Sequence, residues 1–396
     1  MQAQALPSAR KLITASGIGL LFDSTNNSLL SFIIAALFVA WRITPQDAGL
    51  LGSITFVGMA IGSASAGILA DRVGRKVAFM LTLVIFSVAS GVSALAGGIG
   101  VLLILRFFTG LGLGGELPVA TAYVLESSPR EVRGRRTIYL VTFWAVGGIV
   151  ADLVGYFIIP AFTWRAAFAI TILPALYALY LRRTLPESQG FKSQTRRPSV
   201  RENLAGLWNL ELRGRTIVLW ILYLTANYAY YGMFLWLPSV MVLKGFSLIH
   251  SLGYVLIMAF AQIPGYLCAA WLVEVWGRKK TLIAFTIVSA LSALLFGMSV
   301  TLPMLLVFGL LLNFSNLGAW GATYLFSAEQ YPVATRGTGL GFCMGFGRIG
   351  GILAPTIVGV MVAAHVSFTL IFGMFFLVTV VGLLTVWIWG RDLAVD

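Results

Sequence analysis

Charge is what this chain has least of. Only 10% of its 396 residues are Asp, Glu, Lys or Arg, against about 25% in an ordinary soluble domain. That shortage argues against a water-exposed globule. Cysteine is nearly absent too, with two in the chain. Both, Cys268 and Cys343, fall in apolar stretches, so they read as small buried hydrophobes and imply no disulfide framework. The two histidines, His250 and His365, fall near predicted loops. No metal-ligand cluster and no nucleophile–base set is visible. An enzyme is therefore not expected, nor are catalytic residues, a metal or a cofactor.

Apolar length is what the chain has instead. Hydrophobic residues make up 59%, mean hydropathy is +0.92, and runs of about 20 apolar residues recur along the sequence. This predicts an all-α membrane protein with twelve spans, at roughly 12–40, 49–70, 77–97, 101–126, 137–160, 165–182, 215–238, 251–273, 281–299, 303–327, 337–362 and 367–389. The first apolar segment is too long for a cleaved signal and reads as a span. A net charge of +13 is of the sign that nucleic acid attracts. Its placement points to topology instead. Twenty-two of the 27 Lys and Arg fall in the termini and in alternate loops, as the positive-inside rule expects, which puts both termini in the cytoplasm. A polar stretch from Pro186 to Arg213, with a short amphipathic pattern around Val200–Leu212, reads as a cytoplasmic linker with a surface helix. The expected organisation is a six-span bundle over 1–185, a linker over 186–213 and a second six-span bundle over 214–396.

The two halves repeat. Asp71-Arg72-Val73-Gly74-Arg75-Lys76 matches Glu274-Val275-Trp276-Gly277-Arg278-Lys279 at an offset of 203. Glu126-x-x-Pro129-x-x-x-Arg133-Gly134 matches Glu329-x-x-Pro332-x-x-x-Arg336-Gly337 at the same offset. Each half begins on the inside, so the repeat is parallel. Six-span halves related in this way form a transporter with its site between two bundles.

These residues carry a family resemblance. Gly67-Ile-Leu-Ala-Asp71-Arg-Val-Gly74-Arg75-Lys76 resembles the loop 2–3 signature of the major facilitator superfamily, and Arg106-x-x-x-Gly110-x-Gly112-x-Gly114 its fourth-span signature. Gly114-Gly115-Glu116-Leu-Pro118, Tyr230-Tyr231-Gly-Met-Phe-Leu-Trp236-Leu-Pro238, Asn316-Leu-Gly-Ala-Trp320-Gly and Gly347-Arg348-Ile-Gly-Gly351 are similar to bacterial niacin permeases. These belong to the branch that holds sugar porters, organic ion transporters and synaptic vesicle glycoprotein 2 relatives. The resemblance implies a transporter fold over nearly the whole chain. It also implies a cytoplasmic latch made of Asp71, Arg75, Glu126 and Arg133, with a twin made of Glu274, Arg278, Glu329 and Arg336. Each exposed ion pair is worth only about 0–1 kcal/mol, so a latch needs the whole network. Gly337, Gly341 and Gly345 on span eleven, and Gly58 and Gly62 on span two, recur every four residues and predict close helix packing.

A second set of polar groups is not repeated. Counting about 1.5 Å per helical residue from the basic loops places Asp23, Glu116, Asn227, Asn316 and Arg348 near the membrane midplane, about 18–21 Å in. A charge there costs roughly 2.5–3.5 kcal/mol against lipid, so these groups must face a wet cavity or each other. The offset of 203 takes Glu116 to Ala319 and Arg348 back to Ala145. A duplicated scaffold with unduplicated midplane charges suits an asymmetric ligand. Arg348 is the candidate carboxylate clamp. Tyr230, Tyr231, Trp320 and Trp144 are candidate stacking partners for a flat ring, and Asn227, Asn316 or Gln262 could reach a ring nitrogen. Asp23 and Glu116 are the candidate proton carriers. The run Asp23-Ser-Thr-Asn-Asn27-Ser28 is wider than one helix face and predicts a solvated or loosened stretch of span one. The related permeases have a second acid where this chain has Asn26. Arg106 lies about 36 Å above Arg130 by the same count and reads as structural or gating.

The expected function is uptake of a small aromatic monocarboxylate, nicotinate first among them. It would proceed by alternating access with proton symport, in the plasma membrane, as a monomer, with the bilayer and no nucleic acid as its surroundings. A proton-coupled exporter of organic ions or drugs and a facilitative uniporter are the competing expectations.

Overall fold

The computed structural model describes residues 9–126, 133–184 and 207–391, with some side chains among them left out. Among the described residues the structure is helical, without a strand. The helices are α1 (Ala9–Ala40), α2 (Pro45–Val73), α3 (Arg75–Val92), α4 (Ile99–Glu126), α5 (Arg133–Phe162), α6 (Trp164–Ile170) and α7 (Leu173–Thr184). The second half continues with α8 (Arg213–Leu243), α9 (Leu248–Ala259), α10 (Gln262–Trp276), α11 (Arg278–Met298), α12 (Leu302–Glu329), α13 (Val333–Ala363) and α14 (Phe368–Trp389). Twelve membrane-crossing segments account for these fourteen helices, because the sixth and eighth are each broken in two.

Both breaks have the same cause. Pro174 follows the interruption at Thr171–Ile172, and Pro264 follows the one at Phe260–Ala261. Each proline lies in the first turn of the new helix, where its missing N–H costs least. Pro160, Pro238 and Pro355 stay inside continuous helices. The sequence reading treated both broken spans as single helices. Eleven stretches among the described residues are long and apolar enough to cross a membrane, with each broken pair joined.

The chain divides into two units, Met1–Ile43 with Ile54–Arg197, and Thr44–Ser53 with Pro198–Asp396. The N-terminal third of α2 thus belongs to the second unit. There the Ser53 hydroxyl donates to the Ile352 carbonyl at 2.5 Å and accepts from Thr356 Oγ1 at 2.7 Å. The second unit also takes in the end of the segment between the halves. Leu207 and Leu212 are buried in its core beside Leu219, Tyr223 and Tyr331, and the Asn209 side chain caps the Leu212 N–H at 2.7 Å.

Inside each unit the same packing recurs. α1 lies along α5 and α3 along α4 in the first; α8 lies along α13 and α11 along α12 in the second. The offset of 203 holds down to single contacts. A methyl group placed on Gly147 would strike the Leu21 carbonyl, and one on Gly350 would strike the Leu224 carbonyl. Gly62 meets the Leu111 carbonyl, and Gly265 meets that of Phe314. Loops repeat as well. Gly74 and Gly277 both have positive φ, 98° and 86°, as do Arg42 and Gly245, 50° and 97°. Thr44 and Ser247 cap the helices that follow them, accepting from the N–H of Asp47 and of His250.

Two expectations need correction. Gly341 and Gly345 do not mediate close packing, because a methyl group at either would meet nothing within 4 Å; the side chains around Gly337 lie outside the described residues. The polar run of span one is not loosened. α1 is continuous, and two hydroxyls of the run are bonded: Ser24 Oγ donates to the Trp144 carbonyl at 2.6 Å, and Thr25 Oγ1 reaches the Leu21 and Gly147 carbonyls at 2.8 and 2.9 Å. The neighbouring helix supplies acceptors that water would otherwise provide.

These contacts separate two kinds of glycine. Gly147→Val and Gly350→Val should each abolish the monodisperse folded fraction after detergent extraction. Gly341→Ala and Gly345→Ala should leave the unfolding midpoint unchanged or raise it, because Ala in place of a helical Gly gains about 0.5–1 kcal/mol.

Candidate functional site

In the first unit the acids are buried. Asp23 and Glu116 are 1% and 0% exposed. Glu116 is accommodated by a glycine on the facing helix: a methyl group on Gly19 would come within 2.6 Å of Glu116 Oε1. Asp23 is one turn further along the face of α1 that carries Gly19, close enough for the two carboxyls to interact electrostatically. The Thr82 hydroxyl contacts Glu116 Oε2 at 2.9 Å and the Phe79 carbonyl at 2.8 Å. That one hydroxyl serves both states of the acid. Towards a carboxylate it donates to Glu116; towards a protonated Glu116 it accepts, and turns its own proton to the Phe79 carbonyl. The site can thus hold or release a proton without orphaning Oε2. Trp144 is half-buried on α5.

Arg106 lies deep in the same unit, 1% exposed. Its guanidinium donates to Asn26 Oδ1 at 3.4 Å and Ser93 Oγ at 3.1 Å and sits 4.6 Å from the centre of the Phe168 ring. Ser90 and Thr171 extend the network, Ser90 Oγ to Asn26 Oδ1 and Thr171 Oγ1 to Ser90 Oγ. The residue at position 26 therefore touches the buried arginine. Asp152 on α5 is a buried acid that sequence reasoning missed, 8% exposed. Its signal was plain: a lone acid in the middle of a twenty-residue apolar stretch.

In the second unit the predicted clamp and rings come together. Arg348 Nη1 donates to the Tyr231 hydroxyl at 3.3 Å, and the guanidinium carbon lies 6.0 Å from the centre of that ring. Tyr231 packs edge-on against Tyr230 at 5.0 Å, and Tyr230 packs edge-on against Trp320 at 6.0 Å. Trp320 continues the group to Tyr223 and Tyr324, and Phe234 flanks Tyr230. Tyr223, Tyr324 and Phe234 were not foreseen, although Tyr223 and Phe234 lie on the same helix as the predicted tyrosines. The amides are less available than expected. Asn227 Nδ2 donates to the Tyr223 carbonyl of its own helix at 2.7 Å, Gln262 Nε2 to Asn313 Oδ1 at 2.8 Å, and Asn316 Nδ2 to Ser289 Oγ at 3.2 Å.

Of the twin charge cluster, Arg278 and Glu329 form an ion pair, and Glu274 is exposed. The side chains of Asp71, Arg75, Glu126, Arg133 and Arg336 lie outside the described residues. Nearby, Lys279 Nζ holds the last carbonyls of α14, those of Trp387 and Gly390, at 3.1 and 2.7 Å, where a cation suits the end of a helix.

A sequence model of the Major Facilitator Superfamily matches residues 17–265 and 249–394. The chain belongs to that superfamily. Among curated members it is 48% identical over 386 residues to a putative niacin/nicotinamide transporter of Bacillus subtilis, covering 97% of this chain and 96% of that one. It is 42% identical over 396 residues to a niacin transporter of Acinetobacter baylyi, covering 93% and 90%. A gentisate transporter of Corynebacterium glutamicum is 28% identical over 365 residues, covering 90% and 82%. Among solved structures, a D-xylose–proton symporter superposes with a TM-score of 0.81 at 19% identity over 97% of this chain and 98% of its own, a likeness of fold alone. The protein is a multi-pass membrane transporter of a small molecule, and not an enzyme.

The Arg278–Glu329 pair is half-open to solvent, with side chains 31% and 14% exposed. A double-mutant cycle with Arg278→Ala and Glu329→Ala, read by thermal unfolding, should give a coupling of about 1 kcal/mol or less.

Proposed function

We propose that the protein takes up nicotinate, or a closely similar aromatic monocarboxylate, by proton-coupled alternating access. One observation carries the substrate class: a membrane-embedded guanidinium, Arg348, is held by the hydroxyl of Tyr231 at the edge of a group of aromatic rings. A guanidinium in low dielectric takes a carboxylate bidentately, and rings set at right angles leave faces and edges for a flat heteroaromatic ring. The two relatives above 40% identity, both named for niacin, support the same class. Tyr230, Tyr231 and Trp320 are the proposed ring contacts. Asn227, Gln262 and Asn316 have their amide donors committed inside the protein and would have to exchange partners to reach a ligand. Trp144 remains a proposed contact from the first half.

Glu116 and Asp23 are the proposed proton carriers. Both are buried, and the Thr82 hydroxyl accommodates either state of Glu116. The six-helix halves would rock to expose the site alternately, with both termini in the cytoplasm of the plasma membrane and a monomer as the working unit. Arg278–Glu329, with Glu274, Arg336 and the corresponding cluster of Asp71, Arg75, Glu126 and Arg133, would latch one side during each cycle. Weak exposed pairs suit a contact that must open repeatedly.

Uptake of labelled nicotinate into cells or proteoliposomes tests the direction and the coupling. Depletion from expressing cells would favour an exporter, and flux indifferent to a pH gradient and to uncouplers would leave a uniporter. Arg348→Ala should weaken binding of nicotinate by about tenfold or more while changing that of nicotinamide far less. Equal loss of both would mean that the arginine is structural. Glu116→Gln or Asp23→Asn should block uphill uptake yet spare exchange of preloaded substrate, and normal accumulation by both variants would remove these acids from the coupling.

A further inference from the structure

The second half holds a cavity of about 40 Å³ between α8, α11, α12 and α14. Its walls include Ala226, Ala229 and Ala319. An offset of 203 makes these the counterparts of Asp23, Asn26 and Glu116. Leu222, another wall residue, corresponds to Gly19, the glycine that makes room for Glu116. Leu222 takes up part of the room, and the methyl groups that stand in place of two carboxyls and a carboxamide leave the remainder open.

Polarity has moved from the centre to the wall. Phe22, Leu83, Phe86 and Leu113 of the first half become Thr225, Thr286, Ser289 and Asn316 of the second, and all four of these line the cavity with Thr323 and Thr379. Their hydrogens are largely committed elsewhere. Thr225, Thr286 and Thr323 donate to the Ile221, Leu282 and Ala319 carbonyls at 2.8, 2.7 and 2.8 Å. The Asn316 amide nitrogen donates to Ser289, while Asn316 Oδ1, on a residue 8% exposed, is buried without a hydrogen-bond partner. What Thr225, Thr286, Thr323 and Asn316 Oδ1 leave free is lone pairs, set in a lining otherwise made mostly of Ala, Gly, Leu and Trp.

We propose that this cavity binds a monovalent cation of sodium size. Oxygen acceptors from four helices offer ion–dipole contacts and repel an anion. No carboxylate lines the space, which disfavours a divalent ion, since calcium and magnesium sites rely on them. Nitrogen and sulfur ligands for a transition metal are absent from the lining as well. The volume accommodates one ion with a water, or about three waters alone.

The test reads the ion and not the substrate. Thermal unfolding of the purified full-length protein would be followed in sodium, potassium and N-methylglucamine chlorides at equal ionic strength, with equilibrium binding of radioactive sodium alongside. A saturable upward shift specific to sodium is expected, with one ion bound per chain. Thr286→Val with Thr323→Val, which removes two oxygens at constant shape, should weaken apparent sodium affinity by about tenfold. Ala226→Leu, which fills the space and leaves every oxygen in place, should abolish the shift. Identical midpoints in the three salts would overturn the proposal and leave water as the occupant. A sodium response that survives both variants would overturn it equally, by placing the ion elsewhere.

Discussion

Backbone meeting backbone at glycine is the constraint on which each half depends. In a bilayer the lipid chains are as apolar as leucine, so helices gain little by hiding hydrophobic side chains from them. What holds two spans together is close approach, and close approach requires a missing side chain. Gly147 on the Leu21 carbonyl and Gly62 on the Leu111 carbonyl fix α5 on α1 and α2 on α4. Gly350 on Leu224 and Gly265 on Phe314 do the same work 203 residues later. Every polar group near the midplane takes its position from helices pinned in this way.

The halves share a frame and differ in what they hang on it. In the first, carboxyl groups project from α1 and α4 into a packed interior, where Glu116 meets Thr82, and a separate network gathers Asn26 and Ser93 around Arg106. In the second, alanines stand at the equivalent places, and the functional polarity lies elsewhere, at Arg348 with its tyrosines and in the hydroxyls around Asn316. One copy buries two acids side by side, and the other sets a guanidinium beside aromatic rings. Duplication supplies the frame, and divergence at a few positions sets what each copy of it carries.

The frame was largely legible in the sequence, because two short loop motifs repeat at one offset and apolar runs are long. That Arg348 and the tyrosines would lie together was legible for a related reason: a lone arginine in an apolar run needs polar company, and residues four apart share a helix face. Legibility failed where a residue type has two meanings. Glycines spaced by four signalled contact at Gly62 but face open space at Gly341 and Gly345. Proline interrupts a helix at Pro174 and Pro264 but not at Pro160, Pro238 or Pro355. The polar run after Asp23 suggested loosening because its partners, the carbonyls of Trp144 and Gly147, belong to a helix more than a hundred residues away. Asp152 went unnoticed although its signal matched that of Asp23.

The division of α2 between the units bears on the order in which the chain is made. Gly58 and Gly62 pack on α4 within its own half, but Ser53 donates to a carbonyl 299 residues downstream, and Gly49 packs on Pro355. At about 5–20 residues per second of synthesis, that end of the helix waits some tens of seconds for partners that do not yet exist. The residues that make these contacts, Gly49, Gly52 and Ser53, are small. A nascent first half can settle around α1, α4 and α5 while keeping this one end unengaged, so the second half arrives at a docking strip that has been held open for it.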